Sequence, residues 1–456
     1  MAPSIVNQIL KKRFTMKDIA TLDLLHNWHP CMQMKDFENF PPLVLRSAKG
    51  SLIELENGRV LIDAISSWWC KSLGHGHPRL RAALTRQMEK FEHVIFNYTT
   101  YEAIVELSQR LAQLSPGLNR VLYASDGSCA VEAAIKMSLH SRELLNQPKR
   151  TQFMALTDAY HGETCGALSM TSDPIYRQHY QALLTKTHFL KNIPYVSGKS
   201  DPLWNDCSEI WPDIEAQLNP LAHSLTAIIV EPIVQGAAGM RIYSADFLRR
   251  LRVWTKAHDI HLIADEIMTG IGRTGRMLAC DHAQIQPDFL CLAKGLTSGF
   301  LPLSVTLISD DMYYLFYDDY AKGKSFLHSH THSGNALACA VALETLKIME
   351  DEKICEKIQA NEAHLLELFQ SVADETGELT NIRAIGGVVA GDLRLEYPGQ
   401  RRGFAVYQQA LARGAVLRPV INALYWLPPL NIEKEILEKL REVTIESVRA
   451  TMTVSV

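Results

Sequence analysis

Asp265 closes the apolar run His261–Ala264, and Lys294 closes the next such run, Phe289–Leu292, 29 residues further along the chain. A carboxylate at the end of a buried strand is costly without a cationic partner. A lysine at the end of the adjacent strand lies at the carboxyl edge of the sheet, where open α/β folds bind their ligands. Two further groups fall at the same kind of position. Asp126-Gly127-Ser128 follows the run Val121–Ala124 and opens a helical pattern over Cys129–Leu145, so its backbone N–H groups and helix dipole form an anion site. Tyr160-His161-Gly162 follows the run Phe153–Leu156 and brings an aromatic ring and a glycine to that edge. Taken singly these are an N-cap, a turn, a capping acid and a solvated lysine. Taken together and in this order, an acid, a lysine, an aromatic face and an anion cradle fit pyridoxal 5′-phosphate. The lysine supplies the Schiff-base amine, and the carboxylate keeps the pyridine nitrogen protonated so that the ring can act as an electron sink.

The elements that must position these groups are short strands alternating with helices. Val121–Ala124, Phe153–Leu156, Ala227–Val230, His261–Ala264, Phe289–Leu292 and Leu303–Leu307 are apolar on both faces, as strands of a mostly parallel sheet covered on both sides must be. Val131–Leu145 and Phe247–Ala257 are amphipathic at helical spacing, and Pro, Gly and Asn punctuate a loop over 193–205. The ends read differently. Residues 43–63 form strands joined at Asn57-Gly58, a hairpin signal. After a helix over about 335–350 come a long charged helix, strands over Ile385–Leu393 and Ala423–Leu427, and a closing helix. The expectation is an α/β fold: a large central domain over 66–344, and a smaller α+β domain built from 1–65 and 345–456.

Composition narrows the function. The 456 residues carry 46 Lys+Arg against 50 Asp+Glu, and no basic run exceeds Lys11-Lys12-Arg13, so the field that holds a nucleic acid is missing. Nine cysteines include no C-x-x-C pair, the N-terminal MAPSIVNQILKKRF has no uninterrupted apolar stretch, and no segment reaches the length of a membrane span. These features point to a reduced, soluble, cytoplasmic protein. Three patterns mislead. Gly270-x-Gly272-x-x-Gly275 matches a dinucleotide fingerprint but starts five residues past the strand end and opens no helix directly. The strand ending in Asp265-Glu266 resembles the acidic strand of an ATPase, yet Gly198-Lys199-Ser200 and Gly323-Lys324-Ser325 have Ile193 and Asp318 where the first phosphate-loop glycine belongs. His328, His330 and His332 alternate as metal ligands could, but no H-E-x-x-H accompanies them. They are read as loop histidines, with no metal site.

From about residue 25 to beyond 430 the chain resembles the class III pyridoxal-phosphate aminotransferases of fold type I. The general marks are Tyr160-His161-Gly162, Glu231-Pro232, Asp265-Glu266 with Gly270-x-Gly272-Arg273-Thr274-Gly275, and Lys294-Gly295. Narrower marks are Trp28-His29-Pro30, Ser66-Ser67-Trp68-Trp69, Glu231–Ala237, His328–Thr331 ahead of Gly334-Asn335, and Arg418-Pro419. These are similar to the members that aminate 8-amino-7-oxononanoate to 7,8-diaminononanoate in biotin biosynthesis, with S-adenosyl-L-methionine as donor. The resemblance implies a two-step transamination in which Lys294 carries the cofactor and then moves the proton. It places Asp265 at the pyridine nitrogen, Tyr160 on the ring, and Asp126, Gly127 and Ser128 at the phosphate. His330 and Thr331 lie at the cofactor too, Thr331 reaching the phosphate of a neighbouring subunit, which implies a homodimer with shared sites. Trp68, Trp69, Tyr425, Cys31 and Ser329 line the substrate pocket, and Arg418 receives the keto acid's carboxylate.

Three positions depart from the family pattern. Cys31 stands where a tyrosine is usual, Asp126 where serine is common, and His330 where proline is common. The first bears on donor selectivity. The second puts a negative charge beside a phosphate. Other class III aminotransferases acting on β-alanine, GABA or polyamines, a lysine-using variant of the same reaction, an aminomutase or racemase, and a binding protein with a dead site are the competing readings.

Overall fold

The computed structural model describes residues 18–452; the N-terminal segment singled out above, through Phe14, lies outside them. Seven strands make the main sheet: β1 (Arg120–Ala124), β2 (Gln152–Leu156), β3 (Thr187–Leu190), β4 (Leu225–Val230), β5 (His261–Asp265), β6 (Phe289–Leu292) and β7 (Ser304–Ile308), in the spatial order β1-β7-β6-β5-β4-β2-β3. β7 runs antiparallel to both its neighbours, β1 and β6, and the other pairs are parallel. Strand β6 shows why the sequence looked apolar without alternation. Phe289 and Cys291 enter one hydrophobic core while Leu290 and Leu292 enter another, on the opposite face. Side chains two apart share a face, so a strand covered on both sides must be apolar throughout.

The covering helices start on side-chain caps. Helix α1 (Gly127–Leu144) begins at Asp126, whose carboxylate accepts the Cys129 N–H at 3.1 Å. α2 (Ala245–Ala257) begins at Ser244 and α3 (Ala336–Asp351) at Asn335, each accepting an N–H of its own first turn. Each cap satisfies one of the amides that a helix start leaves without a carbonyl.

Segments near both ends of the described residues pack together. Strands Leu45–Lys49, Leu52–Leu55 and Val60–Asp63 form an antiparallel meander with Asn57-Gly58 at its second turn, and Ala415–Val416 pairs in parallel with Val60–Asp63. Behind it, Ile62 and Ala64 share one apolar cluster with Phe369 of α4 (Ile354–Thr376), Trp426, and Leu440 and Val448 of α5 (Lys434–Ala450).

The expected six strands of the large sheet are all present. The edge strand β3, the helix Arg402–Arg413 and the short strands Tyr195–Val196, Val234–Gln235 and Arg241–Tyr243 are additional. The loop expected over 193–205 contains one of these strands and the short helix Pro202–Asn205. The apolar stretch 385–393 is not one strand: Leu379–Ile385 and Val388–Leu393 reverse at Gly386-Gly387. Gly386 has φ +56°, and a Cβ there would sit 2.2 Å from the Thr274 carbonyl carbon, so only glycine lets the hairpin approach the Arg273-Thr274 loop.

Candidate active site

The carboxyl ends of β1, β2, β4, β5 and β6 converge on a cavity of about 410 Å³, lined among others by Trp69, Gly127, Tyr160, Glu231, Asp265 and Lys294. Asp265, the last residue of β5, is 5% exposed. One of its oxygens lies 2.7 Å from His161 Nδ1 and the other accepts the Ile267 N–H at 3.2 Å. Glu231 follows the end of β4 and is buried as deeply; its two oxygens accept the Tyr160 N–H at 3.1 Å and the Gly236 N–H at 2.9 Å. Burial pushes the Glu231 carboxyl up to about 7; neighbouring His161 opposes that rise and Asp265 adds to it.

Lys294 begins a short 3-10 turn directly after β6, in a left-handed conformation at φ +40°. Its ammonium lies 4.7 Å from the centre of the Trp69 indole. Burial lowers the lysine's pKa, against the pull of Asp265 and Glu231. Low dielectric thus favours the uncharged form of both the acid and the base, as it must.

The anion end is made by the start of α1. The Gly127 and Ser128 amides are among the first of the helix and have no carbonyl within it. A Cβ on Gly127 would lie 2.8 Å from Ile267 Cδ1, and one on Gly162 would lie 2.0 Å from Ser128 Oγ. Bare backbone is therefore required at both positions. Asp126 lines this end but turns its carboxylate back onto its own helix as the cap, bonded to the Cys129 N–H.

Trp68 and Trp69 lie in a run of four left-handed residues, Ser66 to Trp69 (φ +50°, +44°, +72° and +71°). Trp69 is buried and donates its indole N–H to the Tyr425 hydroxyl at 2.9 Å. Trp68 faces outward, with the Arg418 guanidinium 4.7 Å from its ring centre. No carboxylate pairs with Arg418 among the described residues. Cys31 stands on the far side of Tyr160: its thiol is 3.8 Å from Glu163, whose carboxylate accepts the Tyr160 hydroxyl at 3.0 Å. Burial, then the charge on Glu163, raise the Cys31 thiol.

A family model described as aminotransferase class-III matches residues 33–447. The chain is a class III aminotransferase. An adenosylmethionine-8-amino-7-oxononanoate aminotransferase of Helicobacter pylori is 38% identical over 434 residues, covering 93% of this chain and 96% of the relative. One of Synechococcus elongatus is 39% identical, covering 89% and 94%. Among solved structures, the enzyme of the same name from Methanocaldococcus jannaschii superposes with a TM-score of 0.86 at 30% identity, over 94% of this chain and 98% of that one. A transaminase from the marine bacterium Virgibacillus superposes at 0.84 with 27% identity, over 95% and 98%.

Class III aminotransferases work with pyridoxal phosphate, and the residues of this class III aminotransferase fit that group. Two buried polar atoms at the cavity, His161 Nε2 and Thr269 Oγ1, have no hydrogen-bond partner. The cavity joins a desolvated lysine, a buried carboxylate and a bare helix N-terminus. Of the sequence-expected residues, it gathers Lys294, Asp265, Tyr160, Asp126, Gly127, Ser128 and Trp69. Trp68, Arg418, Tyr425 and Cys31 stand behind or beside that lining. Ser329, His330 and Thr331 are not brought to it. They lie on a loop where Ser329 and Thr331 are exposed and His330 packs its ring against His328 at 5.1 Å. Sequence reasoning quoted His161 and Glu231 only as parts of motifs and gave neither a role. Their partnership with Asp265 and Tyr160 needs three strand ends to converge, which spacing along the chain does not encode. Thr269 and Glu163 were likewise given no role, although each lies within four residues of a residue that was.

Proposed function

We propose that this class III aminotransferase converts 8-amino-7-oxononanoate to 7,8-diaminononanoate, taking the amino group from S-adenosyl-L-methionine. The observation that carries this reading is the aromatic slot between an amine and a guanidinium. Lys294 rests on Trp69, the adjacent Trp68 carries Arg418, and Arg418 has no acidic partner among the described residues. A keto acid with an apolar chain fits such a slot: carbonyl at the lysine, methylenes along the indoles, carboxylate on the guanidinium, whose planar fork matches it. The relatives named above support the choice of substrates.

Pyridoxal phosphate, when bound, supplies the electron sink that lets an amine-bearing carbon give up its proton. Asp265, fixed by His161, would hold the ring nitrogen, Tyr160 the ring face, and the Gly127 and Ser128 amides the phosphate. Lys294 Nζ, whose pKa burial lowers toward the free-amine form, takes the proton from the donor's α-carbon. In the second half it returns one to carbon 7 of the acceptor, held in reach by Arg418. Trp69 and Tyr425 keep water from the lysine's flank.

Thr331 and its neighbours serve a second copy's cavity in this reading, supported by their exposure on their own chain. Tyr98 and Leu327, also exposed, are large apolar groups that the second copy would cover. Sedimentation should give a dimer, and an active monomer would contradict it. Residues 1–65 with 345–456, and 66–344, are read as the two domains, with the Trp68-Trp69 turn at their junction. Nine free thiols support a reducing cytoplasm.

Lys294→Ala should abolish turnover and the borohydride-reducible visible band; keeping both ends the proposal. In the wild type, S-adenosylmethionine alone should bleach that band, and the keto acid, not pyruvate, should restore it. Bleaching by lysine instead would reassign the donor.

A further inference from the structure

Four consecutive non-glycine residues in the left-handed region are rare, because each brings its Cβ against its own carbonyl. Ser66–Trp69 form such a turn, closed by the Trp69 N–H to Ile65 carbonyl bond at 2.8 Å and the Cys70 N–H to Ser66 carbonyl bond at 2.9 Å. The sequence Ser-Ser-Trp-Trp has no preference for this conformation, so something outside the turn must hold it.

Two buried ionic side chains do so. Asp63 is fully buried and accepts the Ser67 N–H at 2.9 Å, the Ser67 hydroxyl at 2.7 Å, and His75 Nε2 at 2.8 Å. Arg273 is 2% exposed and has no carboxylate partner among the described residues. It donates to the Pro428 carbonyl at 2.8 Å, the Gly387 carbonyl at 3.3 Å and Ser66 Oγ at 3.4 Å, while Ser66 Oγ donates to the Leu427 carbonyl at 2.8 Å. One clamp ties the turn to the N-terminal strand, and the other ties it to the C-terminal strand that carries Tyr425. The turn in turn fixes which way the two indoles point, Trp69 to Lys294 and Trp68 to Arg418.

We propose that Asp63 and Arg273 are positioning residues that hold Ser66–Trp69 left-handed, and so set the span from Lys294 to Arg418 that selects the acceptor's chain length. This rests on the acceptor slot described above. Neither residue lines the cavity or touches a reacting atom.

The test uses holoenzyme variants Asp63→Ala, Asp63→Asn, Arg273→Lys, Ser67→Gly and the double variant Asp63→Ala/Ser67→Gly. Asp63→Ala should raise KM for 8-amino-7-oxononanoate at least tenfold, with kcat within threefold and the visible band retained. It should also shift the near-ultraviolet circular dichroism band that Trp69→Phe removes. Asp63→Asn, which keeps an acceptor for the Ser67 N–H, and Arg273→Lys should fall between. Glycine enters the left-handed region freely, so adding Ser67→Gly should recover most of the KM and the dichroism. A KM within twofold of wild type in Asp63→Ala overturns the proposal. So does a loss that Ser67→Gly leaves untouched, which is what general destabilisation would give. Should Asp63→Ala not fold, Asp63→Asn with and without Ser67→Gly decides by the same criteria. If the wild type itself does not turn over the keto acid, the acceptor slot fails instead. The clamp is then judged by dichroism, and an unaltered Trp69 band in Asp63→Ala overturns it.

Discussion

Replacing Arg418 by methionine tests the slot at its far end. Methionine keeps an apolar stem over Trp68, 4.7 Å from the present guanidinium, and so removes charge and donors with little loss of packing. At an effective dielectric of about 20, a carboxylate about 4 Å from a guanidinium gains about 4 kcal/mol, and hydrogen bonds between charged groups are worth about 1.5–3 kcal/mol net. Arg418 is half-buried and faces solvent on one side, so part of this is offset by lost hydration. A loss of about 2–3 kcal/mol remains, equivalent to a rise of about 30- to 150-fold in KM for the keto acid. The turnover at saturation should change little, because the carboxylate is bound alike before and during reaction at the other end of the chain.

The assay pairs the variant with an acceptor that lacks the carboxylate. Wild type should bind this amino ketone more weakly than the keto acid by the factor just given, and Arg418→Met should bind the two alike. The coupling between side-chain and substrate change isolates the contact from any general disturbance of the pocket. A loss under about fivefold with the keto acid, or an equal loss with both acceptors, would refute the reasoning. Arg418→Lys should recover only part of the coupling, because an ammonium cannot present the planar fork or stack as well on the indole.

Other expectations follow from the buried acids and from the cap. Asp126→Ser keeps an equally good helix cap and removes a negative charge from the phosphate end, so the dissociation constant for pyridoxal phosphate, measured by absorbance titration, should fall about two- to fivefold; a weaker grip would show that the carboxylate, turned back as the cap, does not repel the phosphate. Burial pushes Glu266 up to about 7 from 4.5 even though the Ala279 and Cys280 N–H groups donate to it. The native chain therefore holds a proton that the unfolded chain has released between those two pH values, and stability falls with rising pH there by up to about 1.4 kcal/mol per unit. Its stabilising share is complete below pH 4.5 and lost above 7, about 3 kcal/mol in all. Denaturant titrations from pH 4.5 to 8 should show Glu266→Gln flattening this slope, whatever it does to absolute stability; an unchanged slope would place the proton elsewhere.

The sheet was legible because most of its strands are buried on both faces, which leaves an apolar run such as Ala227–Val230 within Leu225–Val230. Strand β3, Thr-His-Phe-Leu with two half-buried positions, was not, because Thr187 and His188 leave it only two consecutive apolar residues. The reversal at Gly386-Gly387 was hidden inside one apolar stretch for the opposite reason, since both of its strands are core. Residues that end strands could be read as a site, because topology alone places Tyr160, Asp265 and Lys294 at one edge. Asp63 and Arg273 could not. Their partners lie in the Ser66–Trp69 turn and in the segments around 387 and 428, and the left-handed turn carries no glycine or asparagine to announce itself.

A near-neutral chain can still run chemistry that needs a charged site, because burial does the sorting locally. Lys294, Asp265 and Glu231 share one desolvated pocket, where any lone charge is expensive. The same desolvation that raises Glu231 lowers Lys294, so the acid tends to keep a proton and the amine tends to lose one. Asp265 is treated differently: His161 lies against one oxygen and the Ile267 N–H against the other, whereas Glu231 has two neutral backbone donors. Of the two buried acids, then, the one with an imidazole beside it is suited to meet a cationic ring nitrogen, and the other is suited to store the proton. His161→Phe would take that imidazole away and leave Asp265 with the Ile267 N–H alone, one donor against the two that Glu231 keeps.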